Sequence, residues 1–253
     1  EGHLSLIEEG NQIQDAFVVM SIFVNPTQFG KGEDFDRYPR TLESDISALS
    51  GLNNPPALLF VPSVAEVYPE GMDAPLKPRA GALGSVFEGA ARPGHFEGMA
   101  TVVTRFFALI EPDVAVFGEK DYQQLSIIRH VVAKENWPVE IVPAPISREA
   151  DGLAMSSRNM RLLPHERKES AQIYAVLSRA ISTLDFEKTT RKTFEKVCIK
   201  ALDAVPSIRV EYVSCCDAAS LQPLDEFNTS RPARVFAAVQ CGKVRLIDNL
   251  PLF

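Results

Sequence analysis

The sequence predicts an α/β fold, in which a parallel sheet with helices on both faces is followed by a smaller α+β domain. Two observations carry this prediction. Over residues 1–147, short apolar runs alternate with helical stretches, as is typical of a parallel sheet covered on both faces. From about Arg148 onward the order changes to helices followed by short strands, which is typical of an α+β unit. We therefore expect one domain at 1–147 and a second at 148–253.

Four apolar runs in the first region predict buried strands, because each is short and stops at a residue that interrupts a strand. They are residues 17–24, 57–61, 113–117 and 139–142. The interrupting residues are Pro26, Pro62, Gly118 and Pro143, in the same order. Helical stretches are predicted at 41–49, 99–110 and 122–134, and a short one begins at Leu4. This alternation of short apolar strands with helices predicts a parallel sheet.

The second region opens with a polar loop at 148–159. Two helical stretches follow, at 164–184 and 190–202, and then three short strands at 208–214, 234–240 and 244–246. Helices that precede a run of strands favour a separate small domain, hinged near residues 145–148.

Charge and hydropathy argue against nucleic acid or a membrane as a partner. The 253 residues contain 26 Lys and Arg against 33 Asp and Glu, for a net charge of -7. Proteins that bind phosphate backbones usually carry the opposite balance. No apolar run reaches the roughly 18–20 residues that cross a bilayer, and the start lacks the features of a signal peptide. These observations predict a cytoplasmic protein, in which a few local cations could still bind a small anionic ligand.

The cysteines predict neither a zinc site nor a disulfide framework. The sequence has four of them, at Cys198, Cys215, Cys216 and Cys241. No pair shows the C-x-x-C spacing, and two are adjacent. We expect them to be reduced residues of the core.

Candidate site residues follow the first and third predicted strands, because ligands of an open parallel sheet bind beyond the carboxyl ends of its strands. Residues 25–29 (NPTQF) follow the first strand. After the third, Gly118 would allow a tight turn, and a helix beginning near Asp121 would offer free N–H groups to phosphate. Lys120 and Gln124 are four residues apart, which predicts a shared face suited to an anionic, hydroxylated ligand. A solvated helix start with a surface lysine is the alternative.

The loop at 148–159 combines a glycine, two serines and arginines. Serine hydroxyls and backbone N–H groups can wrap a triphosphate, with an arginine as a bidentate partner. An ordinary polar loop explains the same composition. His3 and His95 are each compatible with a surface position, and Glu33, Asp34 and Asp36 could meet Mg²⁺ or form a solvated loop.

Taken together, four segments resemble the pantothenate synthetase family. They are residues 21–40 (SIFVNPTQFGKGEDFDRYPR), 89–103 (GAARPGHFEGMATVV), 117–125 (FGEKDYQQL) and 148–159 (READGLAMSSRN). The similarity runs along nearly the whole chain. It implies a Rossmann-like domain that binds nucleotide and pantoate, and a carboxy-terminal lid. The family belongs to a nucleotidyltransferase superfamily with a His-x-Gly-His signature. Residues 1–4 (EGHL) look like its second half, so the first strand, its loop and the first histidine are expected before residue 1.

The resemblance implies ATP-dependent condensation of pantoate with β-alanine through a pantoyl adenylate, with release of AMP and pyrophosphate. Mg²⁺ would accompany ATP, and the family is usually a homodimer. Catalytic roles fall to His3, Lys120 and Arg158, with Lys120 and Arg158 converging on one nucleotide. The implied ATP-binding residues are Gly2, His3, Gly118, Glu119, Lys120, Asp121, Ser147, Met155, Ser156, Ser157 and Arg158. Those for pantoate are Asn25, Gln28 and Gln124, and Gln28 also lies near β-alanine.

Two other interpretations remain open at this point. A nucleotidyltransferase that uses a phosphate acceptor would need extra Arg or Lys where Gln28 and Gln124 stand. A protein that binds a ligand without turnover would be consistent with the missing first half of the signature.

Overall fold

A computed structural model describes residues 2–30, 35, 41–71, 79–185, 187–227 and 230–253. The chain divides into two compact units. The amino-terminal unit is His3–Ala144, and the carboxy-terminal unit is Pro145–Phe253 together with Glu1–Gly2. None of the described helices is long and apolar enough to span a membrane.

The amino-terminal unit alternates strands with helices. Its strands are β1 (Val19–Ser21), β2 (Leu58–Phe60), β3 (Val114–Gly118) and β4 (Glu140–Ala144). Its α-helices are α1 (Leu4–Asn11), α2 (Leu42–Ser50), α3 (Val64–Val67), α4 (Phe87–Ala91), α5 (His95–Ile110) and α6 (Tyr122–Glu135). Within the described residues, β1 pairs with β2 and β3 with β4, and both pairs are parallel. The predicted α/β class is confirmed.

Two strand boundaries differ from the prediction. β1 covers only three residues of the predicted run, and Phe17 at the start of that run is 71% exposed. β4 continues through Pro143, which lies opposite Phe117 of β3. Proline is tolerated at a strand position whose N–H the ladder does not use, so it does not end this strand.

Helices α5 and α6 supply much of the core of the amino-terminal unit. Phe96, Met99 and Phe107 of α5 are buried with Ile127 and Ile128 of α6. Met99 and Phe107 follow Phe96 by three and eleven residues, which places these side chains on one face of α5. Each fully buried side chain of this size contributes about 1.5–3 kcal/mol relative to exposure. This packing fixes the ends of both helices, which border the candidate site.

The carboxy-terminal unit is the predicted α+β arrangement. It contains α7 (Pro164–Ser170), α8 (Gln172–Ser182), α9 (Arg191–Asp203), β5 (Ile208–Asp217), β6 (Ala233–Cys241) and β7 (Val244–Pro251). The three strands are antiparallel, in the order β5-β6-β7. The helix predicted at 164–184 is two helices, which are divided at Ala171. The buried central strand β6 packs with residues of α8 and α9 in one core.

All four cysteines are free and buried, as predicted. Burial raises the pKa of the Cys198 thiol to about 12 and those of Cys216 and Cys241 to about 11. The folded thiols therefore hold their protons more tightly than unfolded ones. Their contribution to stability is complete below the ordinary thiol pKa of 9.0 and is lost as the pH rises toward 11.

We expect the native protein to resist a chromogenic disulfide reagent at about pH 8, because the thiolate is the reactive form. In denaturant all four cysteines should react. Counting the released chromophore before and after unfolding checks this. Fast reaction of even one cysteine in the folded protein would contradict the burial described here.

Candidate active site

The turn that follows β1 is built on the side chain of Asn25. Asn25 is 3% exposed and precedes a short 3-10 helix, Pro26–Gln28. Its Oδ1 accepts hydrogen bonds from the backbone N–H of Thr27 at 3.3 Å and from the Tyr68 hydroxyl at 2.7 Å. Burial is the main cause that raises the pKa of Tyr68, so this hydroxyl stays protonated and continues to donate.

The amide nitrogen of Asn25 is equally engaged. Its Nδ2 donates to the carbonyl oxygen of Gly98 and to Oε1 of Gln28, each at 3.2 Å. An amide has two N–H donors, so both are accounted for by protein groups. Asn25 therefore orients the Gln28 amide from inside the protein, while its own predicted contact with pantoate stays a prediction.

Helix α5 lies against this turn at Gly98. A Cβ atom at Gly98 would overlap the carbonyl oxygen of Thr27 and would lie 2.8 Å from the backbone nitrogen of Gln28. Both contacts are with backbone atoms, which cannot move without shifting the turn. Only glycine allows this approach, so Gly98 helps to set the position of Gln28.

The backbone carbonyl of Gln28 is held by a histidine–arginine pair at the start of α5. His95 Nδ1 lies 2.9 Å from this oxygen, and Arg92 Nη1 lies 3.1 Å from His95 Nε2. Arginine can only donate, so Nε2 accepts and Nδ1 carries the hydrogen that bonds Gln28. Sequence reasoning left His95 ambiguous and did not select Arg92, although both lie in the ARPGHF part of a segment that carries the family resemblance.

The turn after β3 contains the predicted phosphate-binding residues. Glu119–Asp121 form a 3-10 helix, and α6 begins at Tyr122 with Asp121 at the N-cap position. Lys120 Nζ lies 3.4 Å from Oδ1 of Asp121. Two expectations need correction. Gly118 has φ -69° and ψ 136°, which any residue can adopt, and Lys120 precedes the α-helix, so helical spacing does not by itself place it beside Gln124.

The two glutamines of α6 have different surroundings. Gln124 is half-buried, whereas Gln123 is 5% exposed. Gln123 Nε2 donates to the carbonyl oxygens of Leu83 and Val86, both at 2.7 Å. Gln123 therefore stabilises the fold, and Gln124 remains the candidate for ligand binding.

In the carboxy-terminal unit, residues 147–155 form a tight hairpin. The N–H of Met155 donates to the carbonyl of Ser147 at 2.9 Å, and that of Glu149 to Leu153 at 2.9 Å. Gly2 lies against the base of this hairpin, since a Cβ there would be 3.3 Å from Cβ of Met155 and 3.9 Å from that of Ser147. Three of the predicted ATP-binding residues are thus neighbours.

The segment that follows the hairpin turns into a 3-10 helix, Ser157–Arg161. Ser156 caps it, because its Oγ accepts from the N–H of Arg158 at 3.3 Å. The amide of Asn159 donates back to the carbonyl of Ala154 at 3.0 Å. Ser157 and Arg158 are exposed, which suits residues that reach toward a phosphate.

The remaining predicted residues have simpler positions. His3 is exposed and occupies the N-cap position of α1 without a capping side-chain bond. Glu33, Asp34 and Asp36 lie outside the described residues. In the described part of the chain, no group of three or more His, Cys, Asp or Glu side chains could hold a metal ion.

These features define a class of protein. Parallel strands that lead into an amide-bearing turn and a lysine-bearing turn are typical of an α/β enzyme that binds an anionic, hydroxylated substrate. In the carboxy-terminal unit, the segment after the hairpin carries serine and arginine donors that suit a nucleotide phosphate.

Comparison with known proteins identifies the family. The family model described as "Pantoate-beta-alanine ligase" matches residues 1–251. Pantothenate synthetase of Aquifex aeolicus is 44% identical over 252 residues, which are 98% of this chain and 86% of that protein. The Thermus thermophilus enzyme is 43% identical, and its crystal structure superimposes with a TM-score of 0.89 over 100% of this chain and 89% of that one.

A more distant structure is the Francisella tularensis ligase. It is 32% identical, with a TM-score of 0.76 over 100% of this chain and 85% of that one, and is described as complexed with "Beta-gamma ATP and Beta-alanine". The chain belongs to the pantoate–β-alanine ligase family. It is an ATP-dependent ligase that condenses pantoate with β-alanine. Of the three interpretations of the sequence, the first is confirmed.

Proposed function

We propose that this chain makes pantothenate through a pantoyl adenylate, with Gln28 and Gln124 binding pantoate. The observation that carries the pantoate assignment is the orientation of Gln28. Its Oε1 accepts from Asn25, and none of the described residues accepts a hydrogen bond from its Nε2. Two N–H donors thus remain for a carboxylate or hydroxyl group, without adding charge to the site.

The first step is adenylate formation. A carboxylate oxygen of pantoate attacks the α-phosphorus of ATP in line, and pyrophosphate leaves. Because both reactants are anionic, fixed cations must neutralise the charge that grows in the transition state. We assign this role to Lys120 and Arg158. His3 would stabilise the triphosphate and give a proton to the leaving oxygen.

In the second step, the amine of β-alanine attacks the acyl carbon of the mixed anhydride, and AMP leaves. Gln28 lies near the β-alanine site in this proposal. The adenylate hydrolyses readily, so the region 148–253 is proposed to act as a lid that excludes water from the domain at 1–147.

The proposed ATP contacts come from three segments of the chain. They are Gly2 and His3 at the start, Gly118, Glu119, Lys120 and Asp121 after β3, and Ser147 with Met155, Ser156, Ser157 and Arg158 in the carboxy-terminal unit. Two observations support the last group: Ser147 and Met155 are hydrogen-bonded neighbours, and Ser157 and Arg158 are exposed.

We propose that Mg²⁺ enters with ATP. Magnesium usually keeps several waters and binds through substrate phosphates rather than through a protein cage. Bound to the phosphates, it would supply charge neutralisation. We further propose that the protein is cytoplasmic, as the sequence features predict, and a homodimer, as the family resemblance implies.

The reaction is tested by separating its two products. Pyrophosphate release should require both ATP and pantoate, and AMP should form only as β-alanine is consumed. Coupled assays for each product, with one substrate omitted at a time, check this order. Pyrophosphate release with a phosphorylated acceptor in place of pantoate would contradict the proposal, as would AMP formation that does not depend on β-alanine.

A further inference from the structure

An ion pair anchors the hairpin at residues 147–155 to the sheet of its own unit. Arg148 Nη1 donates to Oδ2 of Asp248 at 2.7 Å, and Nη2 donates to Oδ1 at 2.9 Å. Asp248 belongs to β7, 100 residues further along the chain. Two parallel hydrogen bonds between a guanidinium and a carboxylate fix orientation as well as distance.

The same guanidinium also ties the hairpin to itself. Arg148 Nη1 donates to the carbonyl oxygen of Gly152 at 3.0 Å, and Arg148 bridges with Ala154 on the opposite arm. The next rung of the hairpin joins Met155 to Ser147. If Arg148 moved, the adjacent hydrogen bond between Met155 and Ser147 would move with it. Both are predicted ATP-binding residues.

Tyr174 of α8 covers the ion pair. The guanidinium carbon of Arg148 lies 4.2 Å from the centre of the Tyr174 ring, a distance suited to a cation–π contact. Gly152 has φ +90°, and a Cβ there would overlap the Tyr174 ring. The tip of the hairpin is thus shaped to lie on this ring.

The carboxylate partner is deeply buried. Asp248 is 4% exposed, and its Oδ1 also accepts from the N–H of Asn249 at 2.8 Å. Asn249 Oδ1 in turn accepts from Arg234 Nε at 2.8 Å. Burying such a pair costs desolvation, so well-packed apolar residues would often stabilise the fold as much. Stability alone therefore does not account for the buried Arg148–Asp248 pair, whereas a role in fixing the position of the hairpin does.

We propose that Asp248 and Tyr174 are positioning residues for nucleotide binding, and that they act through Arg148 on the hairpin and on the segment that leads to Arg158. This inference rests on the proposed function, in which that segment binds ATP. Neither residue needs to touch the nucleotide, since each holds the backbone that does.

The test is Asp248→Asn, which keeps the shape of the side chain and removes its charge. Since a misplacement of about 1 Å can cost about 100-fold, we expect the KM for ATP to rise at least about 10-fold, while the KM for pantoate changes less than about 2-fold. The matched control is Glu211→Gln, which breaks the ion pair of Glu211 with Arg245 in the same sheet and should leave both constants unchanged. The melting temperature is measured for each variant.

The outcomes separate positioning from stability. A lower melting temperature with an unchanged KM for ATP, measured well below the transition, would overturn the inference. If Asp248→Asn does not fold, Arg148→Lys replaces it, because a lysine keeps the charge but cannot form the two-pronged contact. We expect Arg148→Lys to raise the KM for ATP to the same extent. An unchanged KM for ATP in this variant would also overturn the inference.

Arg158→Ala distinguishes failure of the inference from failure of the proposed function. If Arg158→Ala raises the KM for ATP and Asp248→Asn does not, the anchor has no positioning role and the nucleotide assignment stands. If neither variant changes the KM for ATP, both the nucleotide assignment of this segment and the inference are wrong.

Discussion

Replacing Lys120 with alanine is expected to lower turnover at least about 100-fold, because removal of one preorganised charge-stabilising group typically costs about 10²–10³ in rate. The fold should survive. Lys120 lies in the 3-10 turn before α6 and forms an ion pair with Asp121, whose side chain is 53% exposed. Ion pairs near the surface contribute about 0–1 kcal/mol to stability. Pyrophosphate release at saturating substrate measures the effect.

Lys134→Ala is the control for this prediction. Lys134 lies in the last turn of α6, the helix that follows Lys120, and is exposed, so its loss should leave turnover unchanged. Near-normal turnover of Lys120→Ala would remove Lys120 from the catalytic residues. If Lys120→Ala and Lys134→Ala lowered turnover equally, the cause would be damage to α6 rather than loss of positive charge at the phosphate.

Replacing Gly98 with alanine is expected to lower kcat/KM for pantoate by about 100-fold. The added methyl group would overlap the carbonyl of Thr27, so the turn that carries Gln28 must shift. A displacement of about 1 Å in a positioned group can cost about 100-fold. Overpacking of this kind also costs about 1–3 kcal/mol of stability. Steady-state kinetics with varied pantoate, together with thermal unfolding, measures both effects.

Gly10→Ala is the matched control, since Gly10 is also a buried helical glycine. A Cβ at Gly10 would lie 3.5 Å from Cγ2 of Val18, an ordinary contact. Alanine favours a helix over glycine by about 1 kcal/mol, so this variant should be at least as stable as the parent and equally active. An unchanged kcat/KM for pantoate in Gly98→Ala would show that the turn tolerates displacement and that Gly98 does not position Gln28.

The sequence selects candidate site residues where polar side chains follow a predicted strand end. Gln28 and Lys120 could be selected because each follows an apolar run that ends in a turn. The structural roles of Asn25 and Gln123 could not be predicted from their positions in the sequence. Both are amides beside a candidate turn, but their partners, such as Gly98 for Asn25 and Leu83 for Gln123, lie 73 and 40 residues away.

By itself, the sequence determined the α/β class, most strands and helices, the family and the buried state of the cysteines. Those properties follow from local patterns, such as the apolar runs that become β3 and β4 and the helical spacing of α5 and α6. The tertiary structure decided which polar side chains hold other residues in place, as Asn25 and Gln123 do. Arg148 and Asp248 meet across 100 residues, and Gly98 meets the turn at Gln28 only because α5 packs there. Such contacts depend on the packing of whole elements, which no local pattern specifies.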